Sequence, residues 1–315
     1  MINNGIPEEA VEISVSSLAQ SSLKQYTNGL KLWWEFCHQL NINCFELNSQ
    51  AILCFLSRLY GQGRSYSSLN STRSALSLLI SPRVGEDHQI KRFFKGVFKL
   101  RPPLPKYHVT WDPAVVLGYL ETCYPNNTIS LEALTHKLSM LMALVTAHRV
   151  QTFSVIDGPN VEISESKIEI KVPARVKTSA PNRYQPLLIL PFFHNNPKLY
   201  VASTFKCYLN RTRDFRQSGK LSKLFLTHKK PYKEATAQSI SRWIRIVLDK
   251  SVIDTSIFTA HSTRHASTSA AVNRGINIDT IRNTAGWTSL SNVFARFYNR
   301  HVKNTDNFAD AILRL

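Results

Sequence analysis

The stretch HSTRHASTSAAVNRG, residues 261–275, decides how the second half of this 315-residue chain folds and what it can bind. It predicts a helix over 262–274 that ends at Gly275, because glycine readily adopts the backbone conformation found just after a helix. His261 and Arg264 are three residues apart and share one face of such a helix. Histidine exchanges a proton near neutral pH, and arginine offers a fork of N–H groups that fits phosphate oxygens. The pair indicates an anion site, although by itself it more often means a capping or core histidine beside a surface arginine.

Three other stretches carry residues of the same kind. Ala147-His148-Arg149 closes a strongly apolar helix predicted from Ser130, where a charge is costly unless it is paired. Lys177 lies in a polar turn between two segments that alternate with period two, and Gly286-Trp287 precedes an aromatic segment that contains Tyr298. Each stretch has an ordinary explanation as a helix-end arginine, a surface lysine or a core aromatic cluster. Their order along the chain is more specific than any one of them.

The composition favours a polyanion as partner. The chain carries 39 Lys and Arg against 21 Asp and Glu, a formal net charge of +18, and its pI is about 9.9. Nucleic acid or an anionic membrane surface is the expected partner of such a chain. Hydrophobic residues make up 43%, which is too many for a disordered protein. No stretch reaches the roughly 18 apolar residues of a membrane-spanning helix, and the N-terminal MINNGIPEEAVEIS lacks the basic and apolar regions of a secretory signal.

The cysteines and histidines predict neither a metal site nor disulfides. Five cysteines are spread along the chain without a C-x-x-C pair, so they indicate reduced thiols in an intracellular protein. With ten histidines in the sequence, metal-like pairs are expected by chance. His261 and His265 are four residues apart, but no glutamate or third ligand lies near them in the sequence.

A proline-rich segment divides the chain. Three prolines in KLRPPLPKYHV, residues 99–109, interrupt the helical pattern. We expect a linker there, between a helical domain of residues 1–102 and a larger domain of residues 110–315. Residues 1–106 hold 12 basic and 7 acidic groups, and residues 107–315 hold 27 basic and 14 acidic groups. Both parts are therefore basic.

Hydrophobic periodicity predicts four helices in the first part and mostly helices in the second. Residues 167–172 and part of 184–190 alternate with period two, and a polar turn separates them, so they predict a small antiparallel sheet. The predicted helices lie at about 18–37, 48–61, 66–81, 87–99, 112–120, 130–146, 198–213, 236–250, 262–274, 278–285, 290–299 and 306–315.

The chain resembles the tyrosine recombinases, the phage integrase family, over about residues 110–300. The resemblance implies a mainly α fold, with an N-terminal helical, SAM-like core-binding domain and an α-rich catalytic domain that holds a small antiparallel β-sheet. The wording of HSTRHASTSAA and FARFYNR is most similar to recombinases of DIRS-like retroelements and related eukaryotic mobile elements, which implies a nuclear location; otherwise the cytoplasm or nucleoid is expected. The residues that carry the resemblance are Arg149, Lys177, His261, Arg264, His265, Gly286, Trp287 and Tyr298, with 34 residues from Arg264 to Tyr298.

The resemblance implies a site-specific recombinase that cuts and rejoins duplex DNA in the service of a mobile element. Tyr298 would attack a phosphodiester and form a 3′-phosphotyrosine while a 5′-hydroxyl leaves. Arg149 and Arg264 would hold the non-bridging oxygens of the scissile phosphate and stabilise the transition state. His261 would act as general base on the tyrosine side. The family's use of fixed cations and a covalent intermediate implies no cofactor, no Mg²⁺ and no ATP.

Two further roles and one departure follow from the resemblance. Lys177 would protonate the leaving 5′-oxygen, with Lys171 as a rival if the hairpin register differs. Trp287 occupies a position where the family has His or Trp, and its indole N–H can donate to a phosphate oxygen. The family often has an acidic residue three positions after the first arginine. This chain has Thr152 there, so the carboxylate is absent or comes from elsewhere, with Asp157 as a candidate.

Double-stranded DNA is the expected partner, held between the two domains. The densest basic run, residues 206–233, is either a solvated surface or part of the DNA contact. The tail, residues 306–315, is expected to dock on a neighbouring protomer and to support a homotetramer on DNA. The expected contacts to the phosphate backbone are Lys91, Arg92, Lys95, Arg101, Lys106, Arg175 and Arg183.

Three rival interpretations remain open at this point. A catalytically silent DNA-binding protein, descended from a recombinase, would keep the fold without the reaction. A type IB topoisomerase would use nearly the same chemistry on DNA without a specific site. A basic protein of membrane surfaces would account for the charge but for none of the four stretches.

Overall fold

The computed structural model divides the chain into two compact units, residues 1–105 and 106–315. Part of the segment expected as a linker, 99–109, is helical, because the last helix of the first unit continues to Leu100. The residues that the structure describes are 7–104, 106–177, 179–180, 184–192, 196–216, 221–287 and 301–302.

The described part of the first unit is helical, and two of its helices extend the sequence prediction. Asn48 and Asp87 cap two of the predicted helices, since their side-chain oxygens accept the backbone N–H of Ala51 and Ile90, each at 2.9 Å. The short helices α1 and α5 are additional to the four predicted. The bounds are α1 Glu8–Ser16, α2 Gln20–Gln39, α3 Ser49–Gly61, α4 Tyr66–Leu79, α5 Arg83–Glu86 and α6 His88–Leu100.

An aromatic cluster lies within the core of the first unit. The ring of Trp33 lies 5.7 Å from that of Phe36 and 5.2 Å from that of Phe55. Trp33 is 1% exposed, and its indole N–H donates to the carbonyl of Cys44 at 3.0 Å. This core leaves the basic side of α6 facing away from the buried residues.

The described part of the second unit is also mainly helical, with two small sheets. Asp112 and Ser130 cap its first two helices, as the sequence predicts. The elements are β1 Val109–Thr110, α7 Pro113–Thr122, α8 Leu131–Thr146, α9 Val150–Ser154, β2 Val161–Ile163, β3 Lys167–Lys171, β4 Leu187–Pro191, α10 Val201–Arg211, α11 Arg213–Arg216, α12 Ala237–Lys250, α13 Ser262–Asn273, α14 Ile278–Thr284 and β5 His301–Val302.

The larger sheet has the antiparallel order β2-β3-β4. Ile168 pairs with Leu190 and Ile170 with Leu188, and these four side chains are buried on one face. The alternation of the sequence predicted β3 and β4, whereas β2 has only three residues and was not predicted. The remaining sheet joins β1 to β5 in parallel. The structure thus confirms the predicted fold class, mainly α with a small antiparallel sheet.

Helix α8 lies at the centre of the second unit. Every residue from Leu134 to Ala143 is buried, on all faces of the helix, as expected for a helix enclosed by neighbours. Its neighbours include α10, α12 and α13. A buried central helix gives the residues that follow its C-terminus a fixed position. Among the described residues, no helix has both the length and the apolar character needed to cross a bilayer.

Candidate functional site

Arg149 is placed by the end of the central helix α8. Ala147 adopts a left-handed backbone with φ of 49° and ends that helix, a conformation that costs a non-glycine residue energy. The chain then turns, so that His148 is buried and Arg149 takes the N-cap position of α9, partly exposed. The turn brings the guanidinium from a buried helix to the surface of the unit.

His261 and Arg264 lie at the start of α13. His261 occupies the N-cap position and is exposed, whereas Arg264 is 1% exposed. The guanidinium of Arg264 donates from Nη2 to the carbonyl oxygen of Ala285 at 2.8 Å. The start of α13 is itself fixed, because the indole N–H of Trp111 donates to the Ser262 hydroxyl at 2.8 Å.

Trp287 packs directly against this arginine. The Cζ atom of Arg264 lies 4.2 Å from the centroid of the Trp287 ring, and Trp287 is 8% exposed. Such stacking of a guanidinium on an aromatic face is favourable. The predicted pair of Arg264 and Trp287 therefore meets in the structure.

Position 286 requires glycine for two reasons, its backbone conformation and the close approach of His148. Its φ is 67°, in the region that favours glycine, and a Cβ atom there would lie 3.0 Å from Cε1 of His148. The ring of His148 thus packs on the backbone beside Trp287. This contact ties the segment after α8 to the segment after α14.

The charge of Lys177, rather than that of Lys171, acts on His261. Lys177 is exposed in the connection between β3 and β4, and its charge acts on His261. Lys171 is the last residue of β3 and pairs with Glu162 of β2 at 2.5 Å, which raises the pKa of Lys171. Lys171 is therefore engaged within the sheet, whereas the charge of Lys177 reaches His261.

The charges of three cations act on His261. Desolvation, followed by repulsion from Arg264, Arg149 and Lys177, lowers the pKa of His261 to about 4 from the ordinary 6.5. Desolvation and repulsion both disfavour the protonated ring, so they shift this pKa in the same direction. Residues from α8–α9, the β3–β4 connection and α13 are thus close enough to form one positive site. Its histidine is neutral near pH 7.

Sequence reasoning missed the part played by His148. Burial, followed by repulsion from Arg264 and Arg149, lowers its pKa to about 4, while a hydrogen bond to the backbone of Thr284 opposes the shift. His148 is thus a buried neutral ring on which the charges of both arginines act. Its position next to Arg149 was visible in the sequence, but its contact with Gly286 was not.

Asp157 does not supply a carboxylate to Arg149 in the described contacts. Its Oδ1 atom lies 3.0 Å from Nζ of Lys223 and accepts the Ser222 hydroxyl at 2.9 Å. Thr152 is buried in α9. The carboxylate interaction expected of Asp157 therefore goes to the 221–236 connection instead.

The basic residues expected to contact DNA differ in their surroundings. Lys91, Arg92 and Lys95 are exposed on α6, and Lys106 and Arg175 are also exposed. Arg101 stacks on Tyr60 at 4.1 Å and donates to the carbonyl of Arg64 at 2.9 Å, so it links the end of α6 to the α3–α4 connection. Arg183, Tyr298 and the tail 306–315 lie outside the described residues.

Two arginines of the densest basic run, 206–233, have a structural role. Arg211 donates to the carbonyl of Ile129, and Arg216 donates to those of Lys223 and Leu224. These guanidinium groups satisfy backbone carbonyls. The sequence analysis offered two roles for this run, a solvated surface or a DNA contact. The structure adds a third role, the hydrogen bonding of backbone carbonyls.

A cationic groove in the first unit was also missed by sequence reasoning. A cavity of about 440 Å³ lies between α2 and α4. Lys24 and Arg64 contribute its positive charge, and three serines of α4 contribute hydroxyl groups: Ser67, Ser68 and Ser71. The two cations are far apart in the sequence and isolated there, so no local pattern predicted the groove.

Solved structures of known proteins are similar to this fold. The λ integrase (residues 75–356) dimer bound to a COC′ core site is similar at 14% identity over 94% of each chain, with a TM-score of 0.56. The Tn1549 transposon integrase in complex with circular intermediate DNA is similar at 15% identity over 85% of this chain and 84% of that one, with a TM-score of 0.54. A comparison with curated protein sequences gives no match.

The family assignment comes from the sequence itself. Residues 120–305, more than half of the chain, match the phage integrase family. This range contains the four stretches that carry the predicted site, from Arg149 to Tyr298. The chain therefore belongs to the phage integrase family of tyrosine recombinases, enzymes that break and rejoin DNA.

Proposed function

We propose that this chain is a site-specific recombinase that cuts and rejoins duplex DNA through a 3′-phosphotyrosine at Tyr298, for the integration or excision of a mobile element. The proposal rests on the family match over residues 120–305, which contains every proposed catalytic residue, and on a group of three cations, Arg149, Lys177 and Arg264, whose charges act on His261. A phosphodiester is the anion that such a group can bind and activate. A mobile-element role is supported by the similar fold of the Tn1549 transposon integrase.

In the proposed reaction, each proton transfer and each bond change has a named residue or atom. The Tyr298 oxygen attacks the scissile phosphorus and passes its proton to His261, which is neutral and able to accept it. The bond from phosphorus to the 5′-oxygen breaks, and Lys177 protonates that oxygen. Arg149 and Arg264 bind the non-bridging oxygens, on which charge develops in the transition state. The reverse steps, with a different 5′-hydroxyl, rejoin the strand.

Trp287 has a supporting role in this proposal. It covers one face of the Arg264 guanidinium at 4.2 Å, which limits the orientations that the arginine can take. The Nη2 bond to Ala285 removes further freedom. Arg264 is therefore oriented before DNA binds, and a preoriented donor stabilises a transition state without a reorganisation cost.

DNA binding is proposed to use both units. Exposed Lys91, Arg92 and Lys95 on α6, together with the groove of Lys24 and Arg64, offer contacts to the phosphate backbone. Assembly on DNA is supported by the similar fold of a λ integrase tetramer bound to a Holliday junction, at 14% identity over 92% of this chain and 75% of that chain, with a TM-score of 0.53. We propose a homotetramer on two DNA sites, joined through residues 306–315.

Covalent capture tests the proposal on DNA of many sequences at once. The full chain is mixed with fragmented genomic DNA of its source, the reaction is stopped with detergent, and DNA attached to protein is recovered and sequenced. We expect recurrent attachment sites joined at a 3′ end, and none with Tyr298→Phe. Absence of any adduct under conditions where the protein binds DNA would favour the silent DNA-binding protein.

A plasmid assay separates the remaining rival. A type IB topoisomerase relaxes supercoiled plasmid that carries no particular site. We expect no such relaxation by this chain, and recombination only between plasmids that carry the captured sites. Efficient relaxation of any plasmid would contradict a site-specific function.

A further inference from the structure

Three potential ligands meet at the far end of α8 from Arg149. Glu132 and His136 are four residues apart on the first turns of that helix, and His228 lies in the 221–236 connection. One carboxylate oxygen and one nitrogen from each ring lie within 4.8 Å of one another. The sequence analysis found no such site because His228 is 92 residues away from His136 along the chain.

The separations fit a tetrahedral metal ion. The Nε2 atom of His228 lies 3.3 Å from Oε1 of Glu132, and two ligands at about 2.05 Å from a tetrahedral zinc ion are about 3.3 Å apart. The ring centroids of His136 and His228 are 5.4 Å apart with planes at 88°. Two imidazoles on one tetrahedral ion place their centroids about 5.2 Å apart.

Burial leaves a ring nitrogen of His136 that needs a partner. His136 is 5% exposed, and its Nε2 atom is buried without a hydrogen-bond partner in the part of the chain that the structure describes. An unsatisfied buried nitrogen is costly and rare in folded proteins. A metal ion bound through Nε2 would remove that cost at His136, which a His228–Glu132 ion pair alone does not.

The walls of the cluster are apolar on one side and open on the other. Trp243 of α12 lies against both rings, with centroids 6.2 Å from His136 and 5.7 Å from His228. Glu132 is 49% exposed in its side chain, so it can adjust toward an ion, and water can reach the remaining coordination position. Two imidazoles and a carboxylate suit zinc, whereas magnesium prefers oxygen ligands alone.

We propose that Glu132, His136 and His228 bind a Zn²⁺ ion, which joins α8 to the 221–236 connection. Three protein ligands and one water molecule complete the coordination of the ion. The helix from Glu132 to Thr146 spans about 21 Å, so the ion lies far from Arg149 and has a structural role. It holds in place the helix whose C-terminus positions Arg149, and the proposal does not depend on the recombinase reaction.

Metal titration of the full chain tests the site. The protein is stripped with a chelator and titrated with Zn²⁺ against a chromophoric competitor, and thermal unfolding is followed with and without Zn²⁺. We expect stoichiometric binding and a higher Tm with Zn²⁺. Co²⁺ should give the visible bands of tetrahedral coordination without the near-ultraviolet absorption of a thiolate ligand, which excludes the five cysteines as the source.

Variants decide whether the cluster is the ligand set. Removing a residue that only hydrogen-bonds to a metal ligand weakens metal binding by about 10- to 100-fold. Removing a ligand itself should cost more, so His228→Ala should weaken Zn²⁺ binding by more than about 100-fold and abolish the Tm increase. The exposed His108 is the control, and His108→Ala should bind as the wild type does. Glu132→Gln, at a half-exposed position, repeats the test if His228→Ala does not fold. Unchanged Zn²⁺ affinity in folded His228→Ala or Glu132→Gln, or no binding by the wild type, would overturn the proposal.

Discussion

At the scale of single residues, Arg149 and Arg264 differ in what surrounds them, although both are proposed to bind the same phosphate. Arg264 is almost fully buried, donates to the Ala285 carbonyl and stacks on Trp287. Arg149 is partly exposed at the start of a five-residue helix. Arg264 therefore supports the fold as well as the proposed site, whereas Arg149 makes a smaller contribution to the fold.

This difference predicts different costs for the same substitution. Arg264→Ala should lower the free energy of unfolding by about 2–5 kcal/mol, since it leaves a cavity and an unsatisfied carbonyl. Arg149→Ala should change it by no more than about 1 kcal/mol. Both should reduce DNA cleavage by about 100-fold or more, measured as covalent adduct per unit time. Equal stability of the two variants in urea unfolding would contradict the structural role of Arg264.

Gly286 can be tested against a matched glycine. Gly286 and Gly275 both have positive φ, 67° and 76°, but a Cβ atom meets His148 only at Gly286 and open space at Gly275. Gly275→Ala should cost about 1–2 kcal/mol for the backbone alone. Gly286→Ala should cost more and should also reduce cleavage, because Trp287 and His148 must move. Similar losses in both variants, by urea unfolding and adduct formation, would show that the His148 contact is unimportant.

At the scale of elements, we propose that Lys177 in the β3–β4 connection is the general acid, rather than Lys171 at the end of β3. Lys177→Ala should slow cleavage by about 100- to 10,000-fold, the usual contribution of a general acid. Lys171→Ala should change the rate little, because Lys171 is engaged with Glu162.

A modified substrate isolates the proton transfer from binding. With sulfur in place of the 5′-bridging oxygen, the leaving group needs no proton, so cleavage by Lys177→Ala should approach the wild-type rate. The variant Arg149→Ala should stay slow on the same substrate, because phosphate binding is still impaired. Persistent slow cleavage of the sulfur substrate by Lys177→Ala would remove Lys177 from the role of general acid.

At the scale of the whole molecule, buried histidines make stability depend on pH. Burial is the main cause that lowers the pKa of both His136 and His148 to about 4, while both titrate near 6.5 in the unfolded chain. Between pH 6.5 and 4 the unfolded chain binds more protons, so stability is present above 6.5 and decreases as the pH falls. The slope is at most about 1.4 kcal/mol per pH unit for each histidine.

Urea unfolding in the presence of a chelator, at pH 7.5 and at pH 5, measures this effect. The free energy of unfolding of the wild type should fall between pH 7.5 and pH 5. In His148→Gln this fall should be smaller, by the amount that the uptake of one proton contributes. The variant His108→Gln is the control for loss of a histidine that is exposed. The same pH dependence in all three proteins would mean that His148 is not held neutral by the fold.

Local signals in the sequence determined much of the secondary structure and the candidate residues. Caps such as Asn48 and Ser130 and the alternation in β3 act through near neighbours, so they were readable without the fold. The resemblance to the tyrosine recombinases supplied the order of the site residues, and the family match and the mainly α fold confirm it at the level of the family. The roles of the individual residues stay predictions.

Only the tertiary structure decided which distant segments meet. It brought Lys177, in the β3–β4 connection, within range for its charge to act on His261, whereas Lys171 pairs with Glu162 within the sheet. It brought His148 against Gly286 across 138 residues of sequence, and it gathered the three ligands of the proposed zinc site. Such contacts depend on packing between elements, and packing is a property of the whole fold that no local pattern of residues records.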